Sequence, residues 1–122
     1  MPKTIVIADD EPHVLRSLEF ILKKQGYRVV TATNGEEALN RVLENNPDLV
    51  FLDIQMPKMD GNTVLRKLRE EEKFQDLYIV MITAKGQEVD RLNSLESGAN
   101  EYVTKPYSPR KLVSRVLEIL GE

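Results

Sequence analysis

The chain has 122 residues, 41% hydrophobic and 30% charged, with a net charge of −3. This suits one domain over 1–122 that buries its own core, and excludes a disordered or membrane-spanning profile. The absence of cysteine excludes disulfides and thiolate metal sites, and the interspersed charges argue against direct nucleic-acid binding by this domain. No apolar run approaches the ~20 residues of a membrane span, and no signal-peptide pattern opens the chain, so a cytoplasmic protein without membrane contact is expected.

Thr4 to Ala8 is an apolar, β-branched run that predicts a first strand, ending at Asp9-Asp10. Glu11-Pro12 then places an acid and a proline where a helix begins, and Val14, Leu15, Leu18, Ile21 and Leu22 recur at helical spacing up to Gly26. Arg28 to Ala32 predicts a second strand. Asn34-Gly35-Glu36-Glu37 has the N-cap and following acid of a capping box, before a helix with Ala38, Leu39, Val42 and Leu43 on its buried stripe. Leu49 to Leu52 predicts a strand buried on both faces that stops at Asp53, and Met56-Pro57 blocks its continuation. A third helix is expected over Gly61 to Glu72, a fourth strand over 78–82 ending at Thr83, and a fourth helix near 87–97 carrying Val89, Leu92 and Leu95 and closed by Gly98. The last strand, 101–104, ends at Lys105-Pro106. Ser108-Pro109 then caps a fifth helix that ends at Gly121.

Strict βα alternation with continuous apolar strands predicts an α/β fold, a (βα)5 doubly wound parallel sheet with helices on both faces. Ligands of such sheets bind outside the carboxyl ends of the strands. Those ends carry Asp9-Asp10, Asp53, Thr83 and Lys105, while the second strand ends in a plain turn. Strand tips cooperate only between neighbours about 4.8 Å apart, so the first and third strands should be adjacent and the second at the edge. The order 2-1-3-4-5 follows, flavodoxin-like and three-layered, with its switch point at the acidic residues.

Three carboxylates there repel strongly: at an effective dielectric near 20, one pair about 4 Å apart costs about 4 kcal/mol. Lys105 offsets part of this. An oxygen-only donor set selects a hard cation such as Mg²⁺, with Mn²⁺ as a substitute, and the Gln55 backbone carbonyl offers another oxygen. A carboxylate, a hard cation, a lysine and a hydroxyl suit phosphoryl transfer, with Asp53 as nucleophile and Lys105 and Thr83 holding phosphoryl oxygens. No Walker-type loop is present, so a nucleotide is not the evident donor.

Asp9-Asp10, the segment from Asp53 through Met56-Pro57 to Asp60-Gly61, Ile82-Thr83-Ala84 and Lys105-Pro106 together resemble the receiver domain of two-component response regulators, of the chemotaxis-regulator type. The resemblance covers the whole chain. It implies that Asp53 accepts a phosphoryl group from a histidine kinase or histidine phosphotransfer protein. It further implies that Asp10, Asp53 and the Gln55 carbonyl ligate Mg²⁺, and Asp9 does so through water. Thr83 and Tyr102 fall on the family's switch pair, which alters the face formed by the fourth helix, fifth strand and fifth helix. Through that face an effector, an output domain or a phosphorylation-dependent second copy would be engaged. Gln55 and Lys85 fall at positions that tune dephosphorylation, Tyr107 replaces a more usual Phe, and the Lys105–Pro106 bond should be cis.

Two alternatives stay open at this stage. One is a metal-dependent phosphohydrolase working through an aspartyl-phosphate, against which position 55 is Gln rather than a second carboxylate. The other is a degenerate receiver that only binds proteins, against which the acidic pair Asp9-Asp10, Asp53, Thr83 and Lys105 are all present. In the favoured reading the domain catalyses only its own modification. His13, the sole histidine, is expected to be a solvent-exposed helix residue.

Overall fold

Five short runs, β1 (Thr4–Ala8), β2 (Arg28–Ala32), β3 (Leu49–Asp53), β4 (Tyr78–Ala84) and β5 (Glu101–Lys105), pair as one sheet in the order β2-β1-β3-β4-β5, every pair parallel. The computed structural model describes residues 2–84 and 96–121. Between the strands lie α1 (Pro12–Lys24), α2 (Gly35–Asn45) and α3 (Gly61–Glu70), and a C-terminal helix (Pro109–Leu120) closes the chain. The helix expected near 87–97, with Val89, Leu92 and Leu95, lies almost wholly outside the described residues, as does Lys85. Gly98, expected to close it, has φ +107. The third helix is shorter than expected, stopping at Glu70 before a 3₁₀ turn over Glu72–Phe74 that buries Phe74.

Alternation along the strands splits the interior in two. Val6, Ala8, Val50, Leu52, Ile79 and Met81 face a core completed by Ala38 and Val42 of α2 and Val64, Leu65 and Leu68 of α3. Ile5, Ile7, Leu49, Phe51, Val80 and Ile82 face the other, with Leu15, Leu18 and Leu22 of α1 and Leu112 and Val116 of the C-terminal helix. Both faces of β1, β3 and β4 are therefore covered, which is why these strands are continuously apolar. Each fully buried aliphatic side chain contributes roughly 1.5–3 kcal/mol.

Local chemistry sets the helix starts. The Asn34 side chain accepts from the Glu37 amide at 2.9 Å, while the Glu37 carboxylate reaches past the cap to the Thr33 N–H, also at 2.9 Å. Asp60 caps α3 through the Thr63 amide at 2.8 Å, and Ser108 caps the C-terminal helix with Pro109 in its first turn. Asn46 ends α2 in the left-handed conformation, one of the few side chains that tolerates it.

Two glycines bring backbones together beside β3. A methyl on Gly35 would overlap the Met59 carbonyl. A methyl on Gly61 would overlap the carbonyl of Asp53 and lie 2.9 Å from the Ile54 Cα. The Gly61 amide also donates to the Ile54 carbonyl at 2.8 Å, so α3 begins directly against the end of β3. Gly61→Ala must push these elements apart. The expected loss is about 2 kcal/mol, measured by urea denaturation. An unchanged midpoint would contradict this close approach.

Arg69 ties the far end of α3 to the segment leading into β5. Its guanidinium donates to the carbonyls of Gly98 and Phe74 and to the Asn100 side chain, at 3.0, 2.7 and 3.0 Å. The Asn100 oxygen also accepts from the Ile79 amide at 2.8 Å, which ties the start of β5 to β4.

Candidate functional site

Beyond the carboxyl ends of β1 and β3, oxygens of Asp9, Asp10 and Asp53 lie within 4.8 Å of one another. This is the crevice at which the strand order reverses. The three carboxylates differ in exposure: Asp9 is wholly buried, Asp53 is 6% exposed, and Asp10 faces solvent. Asp53 is the last residue of β3. Its Oδ1 accepts the Gln55 amide at 3.1 Å, which fixes the carboxylate on the loop that leaves the strand. Asp9 Oδ1 accepts the Glu11 amide at 2.9 Å in the same way.

Lys105 reaches into this cluster from the end of β5. Its Nζ stands 3.1 Å from Asp53 Oδ2, 3.0 Å from Asp9 Oδ2 and 2.7 Å from Glu11 Oε1. Burial opposes the ammonium charge, but hydrogen bonds to Glu11, Asp9 and Asp53 outweigh it and hold Lys105 above the ordinary lysine range. Burial and then the Asp9 charge raise the Asp53 carboxyl to about 6, against the lowering effect of Lys105 and the Gln55 amide. Asp53 thus sits where its charge is costly and one cation compensates only part of the cost.

The donor chemistry fits a hard cation. Among the described residues the candidate ligand atoms are all carboxylate oxygens, and the buried Asp9 Oδ2 has no hydrogen bond of acceptable geometry despite its proximity to Lys105. An open cleft of about 690 Å³ adjoins the cluster, lined by Asp10, Gln55, Asp60, Asn62 and Arg66 among others.

Thr83 and Tyr102 are placed differently. Thr83 is buried within β4, one residue short of its end, and continues the Ile79–Met81 alternation on the α2–α3 face. Among the described residues its hydroxyl donates to the Ala84 carbonyl at 3.4 Å rather than to a cluster oxygen. Tyr102 is half-buried and packs against the same core, its backbone paired with Met81. Asp9, Asp10, Asp53 and Lys105 converge at the strand ends, whereas alternation along β4 and β5 puts Thr83 and Tyr102 together on the α2–α3 side of the sheet. The Lys105–Pro106 peptide is cis. His13 is exposed, with its Nε2 3.7 Å from Glu11.

Glu11 is the participant that sequence reasoning assigned only to the start of a helix. It occupies the N-cap of α1 yet makes no side-chain cap bond there. Its carboxylate turns to Lys105 instead, whose hydrogen bond and charge hold it below the usual carboxylate range. The available signal was residue type, because Glu is not among the preferred N-cap residues. Tyr107 is a second case. Its hydroxyl is buried without a partner among the described residues, and burial and the Asp9 charge raise it to about 12, so it stays a neutral phenol.

A parallel (βα) sheet with an acidic crevice at its switch point and a lysine across it defines a doubly wound, flavodoxin-like domain of the CheY-like group. The family model described as the response regulator receiver domain matches residues 5–117, and the chain belongs to that family. It is 43% identical over 120 residues to the alkaline phosphatase synthesis transcriptional regulatory protein PhoP of Bacillus subtilis, covering 98% of this chain and 49% of that protein. It is 47% identical over 118 residues to the probable transcriptional regulator ycf27 of Cyanophora paradoxa, covering 97% of this chain and 48% of that protein. The chain thus spans about half the length of these curated relatives. A putative response regulator from Chloroflexus aurantiacus superposes with a TM-score of 0.90 at 38% identity, with 100% of both chains covered. A CheY-like receiver domain from Methanospirillum hungatei gives 0.91 at 30% identity, covering 99% of this chain and 95% of that one.

Proposed function

We propose that this receiver domain, a single unit over 1–122, accepts a phosphoryl group on Asp53 from a sensor histidine kinase or histidine phosphotransfer protein. The observation that carries the reading is the convergence of Asp9, Asp10 and Asp53 with Lys105 bridging Asp9 and Asp53. Asp10, Asp53 and the Gln55 carbonyl would hold Mg²⁺ or Mn²⁺, with Asp9 contributing through water. When bound, the cation neutralises carboxylate charge and polarises the phosphoryl oxygens.

The chain's own groups perform the rest. The Gln55 amide holds Asp53 Oδ1, which orients the carboxylate toward the crevice. An Asp53 oxygen forms the new P–O bond as the donor's P–N bond breaks. That bond's electron pair goes to the imidazole nitrogen, which takes a proton from solvent. The Lys105 ammonium meets the charge that spreads over the equatorial oxygens. Thr83 then turns toward the phosphoryl group and Tyr102 moves inward, a change to which their shared sheet face lends support. The altered surface, around β5 and the C-terminal helix, would engage an effector, an output domain or a second copy. The transcriptional relatives suggest an output domain of that kind. The domain turns over no external substrate and works in the cytoplasm.

Acetyl phosphate and Mg²⁺ test the reading through intact mass. One added phosphoryl group is expected, absent in Asp53→Asn and after chelation. An unmodified wild type, with beryllofluoride also leaving its NMR spectrum unchanged, would overturn it. Sustained turnover of many phosphate esters would favour a phosphohydrolase.

A further inference from the structure

We infer that Glu11 is the positioning residue for Lys105, holding the ammonium over the crevice while the other carboxylates are engaged by the reaction. This rests on the reading of Asp53 as the phosphoryl acceptor.

A lysine ammonium has three N–H donors, and here three carboxylates take them. Two of the three are not constant partners. Asp9 belongs to the cation-holding group, and Asp53 becomes an acyl phosphate whose carboxyl oxygens lose their charge. Each change weakens its hold on Lys105 at the moment the ammonium must serve the phosphoryl group. Glu11 lies outside that group and is not modified, and its contact at 2.7 Å is the shortest of the three.

The local structure supports this use of Glu11. It sits at the head of α1, a helix anchored in the core by Leu15, Leu18 and Leu22, so its backbone is fixed. Its amide donates to Asp9 Oδ1 at 2.9 Å, locking it to the crevice it serves. Its side chain forgoes the cap of its own helix. Glu11 and Lys105 also line a cavity of about 460 Å³ with His13, Pro106 and Tyr107. The ion pair therefore borders open space on one side while Lys105 contacts Asp9 and Asp53 on the other. A long lysine stem loses much rotamer freedom when held, and electrostatic catalysis works best with donors fixed before charge develops.

The experiment compares wild type, Glu11→Gln and Glu11→Ala in the full chain. It reads the limiting rate of Asp53 phosphorylation by acetyl phosphate, Mg²⁺ affinity by NMR titration, and the ¹⁵N resonance of the Lys105 ammonium. Glu11 is solvent-accessible, so both variants should fold, and a melting curve checks this. Expected are a limiting rate about tenfold lower in Glu11→Ala, an intermediate rate in Glu11→Gln, whose amide oxygen still accepts, and Mg²⁺ affinity within about twofold of wild type. The ammonium signal should broaden in Glu11→Ala as its exchange with water quickens.

A wild-type limiting rate in Glu11→Ala overturns the assignment and leaves the acceptor reading intact. So does a loss of Mg²⁺ affinity large enough to explain the slower rate, since Glu11 would then act on the cation. A wild type that takes up no phosphoryl group overturns both, and the ammonium resonance would then report a structural ion pair alone.

Discussion

Lys105→Met is expected to cost the metal-free protein about 3 kcal/mol at pH 7. Methionine keeps most of the apolar stem, so the loss isolates the charge. Without the ammonium, the wholly buried Asp9 and the nearly buried Asp53 face each other with no counter-charge between them. Removing one member of a buried ion network strands the others, and that penalty exceeds the net worth of the intact pair. The folded lysine pKa lies above its ordinary value, so the stabilisation is fully present at neutral pH and is lost only in strong alkali. The deficit should shrink as pH falls toward 6 and Asp53 takes a proton. It should also shrink in Lys105→Met/Asp53→Asn, where the stranded acceptor charge is gone. Urea denaturation in EDTA at pH 7 and pH 5 measures all of this. Equal losses at both pH values would show that the lysine contributes packing rather than charge.

Asp53→Asn should do the opposite and stabilise the metal-free protein. Burial and the neighbouring Asp9 raise the folded pKa of Asp53 from 3.8 to about 6. Between those values the native state holds a proton that the unfolded chain has released. The slope of unfolding free energy with pH is therefore negative in this window. Stability from this group is complete below about pH 4 and is lost as pH rises through 6, a difference of about 2–3 kcal/mol. Asparagine carries no such charge, so the variant should gain most of that amount at pH 7 and show a flatter profile between pH 4 and pH 6. Asp10→Asn should gain less, because Asp10 faces solvent. Added Mg²⁺ should reverse the order by stabilising wild type over Asp53→Asn. A variant less stable than wild type at pH 7 in EDTA would contradict this account.

Taken together, these expectations separate two demands on one crevice. Under the proposed function Asp53 must be charged to attack, yet the fold carries that charge at a cost in stability. Lys105 offsets part of the cost, and the oxygen-only cluster leaves room for a cation to offset more. A site poised in this way can couple its occupancy to the rest of the domain, because charge changes there act on a strained balance rather than a settled one.

What could be read from the chain alone was whatever depends on near neighbours or on a simple period. The apolar runs of 4–8, 49–52 and 78–82 mark strands buried on both faces, and the structure contains them. The caps at Asn34 and Ser108 follow from side chains that satisfy amides within three residues. The strand order followed from chemistry as well, since residues at strand tips can act together only if their strands are adjacent. That Asp53 and Lys105 meet was legible for the same reason.

Only the tertiary structure decided how those tips are aimed and which carboxylates are dry. Asp9 and Asp10 are adjacent in sequence, but the turn out of β1 buries the first and exposes the second. Thr83 lies one residue inside β4 rather than at its tip, because pairing with β5 carries the strand on through Ala84. Glu11 read locally as the start of a helix, yet its partner is 94 residues away. No periodicity or cap rule reaches that far. The bond exists because β5 and α1 converge above the same crevice, a product of packing rather than of any stretch of sequence.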